Sequence, residues 1–314
     1  MEQPIISVQN MNKTYGKKNV LNGLSFDINR GTIFALLGEN GAGKTTTVRI
    51  LSTLIKADRG TATIAGHDLY RDANKVRSVI SLTGQHASVD ELLTGKENLI
   101  LMGKLQHLNR KAVIARANSL LEQFDLLEAA NKPVKTYSGG MRRRLDIAIS
   151  LLGTPEIIFL DEPTTGLDPR SRMNMWKLIS ELAKSGVTIF LTTQYLDEAD
   201  QLADKLAIIH QGRIIEEGTA EELKSLVGEE KIELTFHDQI SLDKAQDLLN
   251  GQINKQNLSI SLSTDGTASS LRNVLNKLHS NHMEPLSINF RKPTLDDVFL
   301  QLTKRDREGV LQHD

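Results

Sequence analysis

An α/β fold built around a parallel sheet, followed by a second and smaller α/β domain, is what the sequence predicts, and three observations carry it. The first is Gly38-Glu39-Asn40-Gly41-Ala42-Gly43-Lys44-Thr45, which fits G-x-x-x-x-G-K-[ST] at every position. It lies between an apolar strand-like run, Thr32 to Leu37, and a stretch, Thr46 to Ile55, with apolar residues at helical spacing. The second is the apolar strand Ile157-Ile158-Phe159-Leu160, which ends in Asp161-Glu162 and is bounded by Pro155 and Pro163. The third is the alternation of strand and helix patterns in the last part of the chain, where no second phosphate loop occurs. At 314 residues the chain exceeds one average domain.

Ile5 to Asn29 alternates as β-strands do, with Thr61 to Ala65 as another strand. Asn98 to Leu127 has helical periodicity, with Leu99, Met102, Leu105, Leu120, Leu121 and Phe124 as its expected buried faces. Arg142-Arg143-Arg144 opens a helix whose later turns, Leu145, Ile147, Ala148 and Leu151, are apolar. That placement favours a solvated or interface face over a nucleic-acid patch. Strands resume at Ile157, Val187 and Lys205, and Gln211-Gly212 predicts a hairpin turn between Leu206–Ile209 and Arg213–Glu216. Thereafter Lys231–Phe236, Leu258–Leu262 and Leu286–Phe290 are strands, separated by helices over Leu242–Leu249 and Ala268–Leu278. The pattern predicts a small α/β sandwich, a ferredoxin-like arrangement being one candidate. The expected division is residues 1–228 and 229–314, with a helical subdomain over about 86–150.

The chemistry lies in the first domain. Glycines let successive N–H groups turn toward a phosphate, aided by the positive end of the following helix. Lys44 is placed to bridge the outer phosphates, and the Thr45 hydroxyl to bind Mg²⁺. Asp161, at a strand end beside the phosphate loop, is the expected metal ligand. Glu162 is expected to point to the other side of a strand-like backbone and to serve as general base, an effect of about 10²–10⁴-fold in rate. Net charge is −1, which leaves no global electrostatic footprint for nucleic acid. Zero cysteines fit a reducing compartment. No stretch approaches the roughly 18–20 apolar residues of a membrane span, and Met1-Glu2-Gln3-Pro4 lacks a signal-peptide core, so a membrane role is expected to be borrowed from a partner. His86 and His107 have no partner at metal-ligand spacing and are expected on the surface.

From about Ile5 to Val227 the chain resembles the ATP-binding subunits of ABC transporters, with every motif in the family's order. The resemblance implies a P-loop NTPase of ABC type: a RecA-like core, an antiparallel β subdomain and a helical subdomain. It implies that Tyr15 stacks on adenine, although by itself that residue would read as a core or turn aromatic. The residues Gly38, Glu39, Asn40, Gly41, Ala42, Gly43, Lys44, Thr45 and Thr46 then hold the phosphates of ATP. Gln85, alone an ordinary polar loop residue, becomes a sensor of Mg²⁺ and of the membrane subunit. Tyr137-Ser138-Gly139-Gly140-Met141 matches the family signature and Gly166-Leu167-Asp168 the loop that crosses to a partner. The implied assembly is a head-to-tail homodimer in which Ser138 and Gly140 of one subunit meet the γ-phosphate held by Lys44 of the other. The implied catalytic set is Glu162, Lys44, Gln194 and Gln85, with Thr45, Gln85 and Asp161 on the metal.

Two positions depart from the usual pattern: Met141 replaces a glutamine, and Gln194 replaces the switch histidine. Glutamine donates a neutral hydrogen bond and never carries charge, so hydrolysis should be slower than with histidine, with nucleotide binding nearly unchanged. The strings Thr192-Thr193-Gln194-Tyr195-Leu196-Asp197-Glu198-Ala199-Asp200 and Pro293-Thr294-Leu295-Asp296-Asp297-Val298-Phe299 resemble the daunorubicin-resistance type, bacterial subunits that power drug export. That implies an integral membrane permease as partner, contacted around Val89 to Leu99, an amphiphilic cargo, and a cytoplasmic chain peripheral to the inner face of the membrane. It also implies an accessory C-terminal domain. The alternative is a soluble ABC-type ATPase acting on ribosomes or DNA, but such members usually join two ATPase units or insert long coiled coils, and this sequence has neither.

Overall fold

The computed structural model describes residues 3–84, 89–227 and 230–310, with side chains to residue 303. The chain forms two compact units that meet in sequence at Ala220/Glu221.

In the first unit, β1 (Ile6–Tyr15) and β2 (Lys18–Ile28) form a hairpin in which Tyr15 faces Lys18. Next come β3 (Ile33–Leu37), α1 (Lys44–Leu51), β4 (Arg59–Ile64) and the short β5 (His67–Asp68). They are followed by α2 (Ala73–Val79), β6 (Ile80–Thr83), α3 (Gly95–Leu105), α4 (Arg110–Gln123) and α5 (Gly139–Ser150). The unit continues with β7 (Ile157–Asp161), α6 (Pro169–Lys184), β8 (Thr188–Thr193), α7 (Leu196–Leu202), β9 (Lys205–His210) and β10 (Arg213–Gly218), and α8 (Ala220–Ser225) stands at the join. The hairpin belongs to an antiparallel sheet of order β2-β1-β4-β5. A six-stranded sheet, β10-β9-β3-β8-β7-β6, is parallel except at β10. Its strands β3, β7 and β8 are buried at every position, as expected of a parallel sheet covered on both faces. Phe26, Phe34, Phe190 and Phe159 run across the core with successive ring centroids 5.2, 5.6 and 5.5 Å apart, which fixes the antiparallel sheet on the parallel one.

The expected hairpin is present: Gln211 and Gly212 have φ of 46° and 79°, as a two-residue type I′ turn needs. The long helical stretch expected from Asn98 to Leu127 is corrected to two helices. His107 takes a left-handed φ of 59°, and the Asn109 side chain accepts from the Ala112 amide to start α4. Leu99, Leu120, Leu121 and Phe124 are buried as expected, but Leu105 is 64% exposed at the end of α3. The solvated or interface face expected of the arginine triplet is corrected at its middle residue, because Arg143 is 7% exposed.

The second unit runs β11 (Glu230–Thr235), α9 (Gln239–Leu249), β12 (Gln252–Asn254), β13 (Ser259–Thr264), α10 (Ala268–Ser280), β14 (Ser287–Arg291) and α11 (Leu295–Val310). The order β12-β13-β11-β14, antiparallel throughout, with two βαβ halves, is the ferredoxin-like arrangement. The three strands expected from the sequence are joined by β12, whose three residues are too few for a periodic pattern. Ile232, Leu234, Leu242, Ala245 and Ile260 form its own core.

Candidate active site

Between β3 and α1 the chain must turn sharply enough to aim amides at one point. Gly41 and Gly43 do so at φ of 84° and 117°, and a Cβ on Gly43 would lie 2.6 Å from Leu21 Cδ2. The Gly212 amide donates to the Ala42 carbonyl and the Asn22 amide to the Gly212 carbonyl, so β2 is tied to the phosphate loop. This places the β1/β2 hairpin, with Tyr15 at its tip, beside that loop. Tyr15 is 47% exposed, with the Lys13 ammonium 5.5 Å from its ring centre, and so keeps an aromatic surface free for a flat ligand.

Lys44 is 4% exposed, and its Nζ donates to the carbonyls of Gly38 and Glu39 at 2.7 and 3.1 Å. Burial holds its pKa below the ordinary lysine value, partly offset by Glu162 and Asp161. Glu162 Oε1 stands 3.4 Å from Lys44 Nζ. The strand-like backbone expected at Glu162 is corrected: its φ is 49°, in the left-handed region, because β7 ends at Asp161 and the chain turns there. The turn still separates the two acids. Asp161 Oδ1 accepts from the hydroxyls of Thr45 at 3.2 Å and Thr192 at 2.6 Å, whereas Glu162 faces Lys44 and accepts from Thr165 Oγ1 at 3.3 Å. Thr192 also receives the Glu162 amide on both its hydroxyl and its carbonyl, each at 3.1 Å. Thr45 and Asp161 present hard oxygen donors side by side, which suits a small divalent cation. Among the described residues no group of three His, Cys or acidic side chains could hold a metal alone, so most of its ligands would come from phosphate and water.

Ser138 caps α5 by accepting from the Met141 amide at 3.3 Å, which leaves Ser138 and Gly139 exposed. A Cβ on Gly140 would sit 2.8 Å from Ser171 Oγ, and that hydroxyl donates to Asp168 Oδ2 at 2.6 Å. These bonds from Ser171 hold the exposed Asp168 carboxyl below the usual carboxylate range. Signature and Asp168 are therefore neighbours, and among the described residues no hydrogen bond or ion pair joins them to residues 38–46. Gln194 is half-buried directly after β8. Gln85 and His86 lie outside the described residues. Thr192 was not singled out from the sequence; its signal is its place in register with Asp161 on the adjacent strand.

Glu198, at the start of α7, is fully buried and accepts from Thr164 Oγ1 at 2.7 Å and Trp176 Nε1 at 3.2 Å. Burial pushes its carboxyl above the usual range. No helix among the described residues is long and apolar enough to cross a membrane.

Residues 21–165 match the family described as ABC transporter, and residues 218–303 match the ATP-binding protein DrrA1-3-like C-terminal domain. The daunorubicin resistance ATP-binding protein DrrA3 of Streptomyces coeruleorubidus is 46% identical, over 98% of each chain. The linearmycin resistance ATP-binding protein LnrL of Bacillus subtilis (strain 168) is 33% identical, over 96% of this chain and 99% of its own. Among solved structures, the dimeric post-hydrolysis state of an ATP-binding cassette bound to ADP and Pi superposes with a TM-score of 0.62 at 25% identity, over 68% of this chain and 98% of that one.

Proposed function

Because the chain belongs to the ATP-binding subunits of ABC transporters, of the daunorubicin-resistance type, we propose that it powers a bacterial exporter of drugs or other amphiphiles. It is an ATP-binding and ATP-hydrolysing protein. The observation that carries the reading of its site is the meeting of Lys44, Thr45, Asp161 and Glu162 on one phosphate loop, with Lys44 and Glu162 3.4 Å apart.

Lys44, held by two carbonyls in a buried site, exchanges them for the outer phosphate oxygens of ATP, and the arriving negative charge offsets the burial that depresses its pKa. Thr45 and Asp161 hold Mg²⁺, which supplies charge neutralisation for phosphoryl transfer. Glu162 orients water and takes its proton; its turned backbone and the bonds its amide donates to Thr192 keep it apart from the metal-binding carboxylate. Gln194 donates a neutral hydrogen bond to the γ-phosphate, and Gln85 reports to the permease. Tyr15 stacks on adenine. Ser138, Gly139, Gly140 and Asp168 serve the nucleotide of a second copy in a head-to-tail homodimer. The exposure of Ser138, Gly139 and Asp168 and the separation of all four from residues 38–46 support that assignment, as does the dimeric state of the related cassette.

Residues 1–228 form the ATP-binding domain and 229–314 the accessory domain. An integral membrane permease docks around residues 89–99, where Leu92 is 77% exposed, and holds the chain at the cytoplasmic face. Resistance to daunorubicin and to linearmycin in the names of the two relatives supports amphiphile export. A soluble ATPase acting on ribosomes or nucleic acid is not favoured.

ATP turnover is measured in membranes carrying the chain with a permease encoded beside it, with and without amphiphilic drugs, using Lys44→Ala as the blank. Stimulation by a drug supports export. Lys44-dependent turnover indifferent to permease and drugs removes the transport reading.

A further inference from the structure

The middle arginine of the signature helix has no surface role. Its neighbours Arg142 and Arg144 reach outward to the exposed acids Glu91 and Asp125. Arg143 instead turns inward, 7% exposed, and spends its donors on the main chain. Nε donates to the Pro163 carbonyl at 3.0 Å, Nη2 to the Asp161 carbonyl at 3.0 Å and Nη1 to the Gly84 carbonyl at 2.5 Å. Asp146, one turn along α5, lies 3.5 Å from Nη1.

Two of those carbonyls flank Glu162, one on each side. The third precedes Gln85. We propose that Arg143 is a positioning residue that ties the signature helix to the catalytic glutamate, so that the placement of α5 sets the placement of Glu162.

Three physical points carry this. Burying a guanidinium is costly, and an apolar side chain of similar volume would fill a core at least as well, so packing alone does not explain the charge. The planar fork reaches three carbonyls on two chain segments, the turn at residues 161–163 and the end of β6, a geometry that the single ammonium of lysine cannot reproduce. Glu162 itself lies in a left-handed turn at φ 49°, where its amide is fixed by Thr192 and the carbonyls on either side by Arg143. Without the fork the carbonyls on both sides of Glu162 lose these bonds, and its placement is left to the amide bonds to Thr192 and the side-chain contacts with Lys44 and Thr165. Because Arg143 is built into the helix whose first turn carries Ser138 and Gly140, any shift of that turn reaches the carbonyls beside Glu162 through one side chain.

This inference rests on Glu162 as the base. The test compares the parent chain with Arg143→Lys, Arg143→Met and Glu162→Gln, by steady-state ATP turnover, by the affinity for a fluorescent ATP analogue and by melting temperature. Misplacing a catalytic group by about 1 Å costs about 10²-fold. The expected result is a fall in kcat of about 10- to 100-fold for Arg143→Lys and Arg143→Met, with nucleotide affinity within about threefold of the parent and melting retained in at least one of them. Three results overturn it: unchanged kcat in a folded variant, kcat and affinity falling together, or loss of the fold in both arginine variants. Parent-level turnover by Glu162→Gln would instead remove the premise about the base. Inactive Glu162→Gln beside fully active arginine variants would sink this inference alone.

Discussion

Replacing Thr192 by valine removes one oxygen atom from a fully buried position and keeps the branched shape that β8 packs. That oxygen donates the shorter of the two hydroxyl bonds to Asp161 Oδ1, 2.6 Å against 3.2 Å from Thr45. The Glu162 amide keeps its bond to the Thr192 carbonyl at 3.1 Å, so the loss falls on Asp161. A hydrogen bond to a charged group contributes about 1.5–3 kcal/mol, and about 2 kcal/mol corresponds to roughly 30-fold in an equilibrium. Partners that orient a metal ligand typically account for about 10–100-fold in metal affinity or activity. Thr192→Val should therefore raise the Mg²⁺ concentration for half-maximal turnover by about 30-fold at fixed ATP, and Thr192→Ser should restore most of it. The assay is ATP turnover against added Mg²⁺, with a melting curve to show that the variant is folded. A folded valine variant with the parent's Mg²⁺ midpoint would refute the assignment of Asp161 as a ligand oriented by Thr192.

Gln194→His should raise kcat about fivefold with little change in nucleotide affinity, since a charge-assisted bond exceeds a neutral one by about 1 kcal/mol; equal turnover numbers would sink that reasoning. Gly140→Ala puts a methyl 2.8 Å from Ser171 Oγ and must displace the hydroxyl that holds Asp168, so turnover should fall while binding of nucleotide to the isolated chain is unchanged. Calorimetric titration with ATP beside a turnover assay separates the two. The raised pKa of Glu198 means that the folded state favours the protonated form, so its contribution to stability is fully present below the ordinary carboxylate value of about 4.3 and is lost as pH rises through the folded value. Glu198→Gln cannot ionise, so its stability relative to the parent should improve as pH rises from about 4.3; urea unfolding of both proteins that gives parallel pH slopes would contradict this.

The phosphate loop, the Asp161 strand and the hairpin at Gln211-Gly212 were legible because each depends on local chain chemistry: glycines where φ is positive, an unbroken apolar run, a two-residue turn. The ferredoxin-like unit was legible as alternating segments, except for a strand shorter than any period. Arg143 was not, since three adjacent arginines read as one charged face, and only the fold brings the carbonyls of residues 84, 161 and 163 to the middle one. The break after Leu105 was hidden by apolar residues that keep helical spacing on both sides of the turn at His107. Glu162 was identified as a residue but not as a conformation, because a left-handed turn at glutamate is held by the partners of its neighbours, and those are distant in sequence.

The claim that each ATP is shared between Lys44 of one copy and the signature of another has a direct test in mixed dimers. Lys44→Ala and Gly140→Asp chains, each inactive alone, are combined and assayed for ATP turnover. The account predicts that mixing restores activity, to about one-quarter of the parent rate if pairing is random and sites are independent, because each heterodimer regains one intact site. Mixtures as inactive as their components would contradict it.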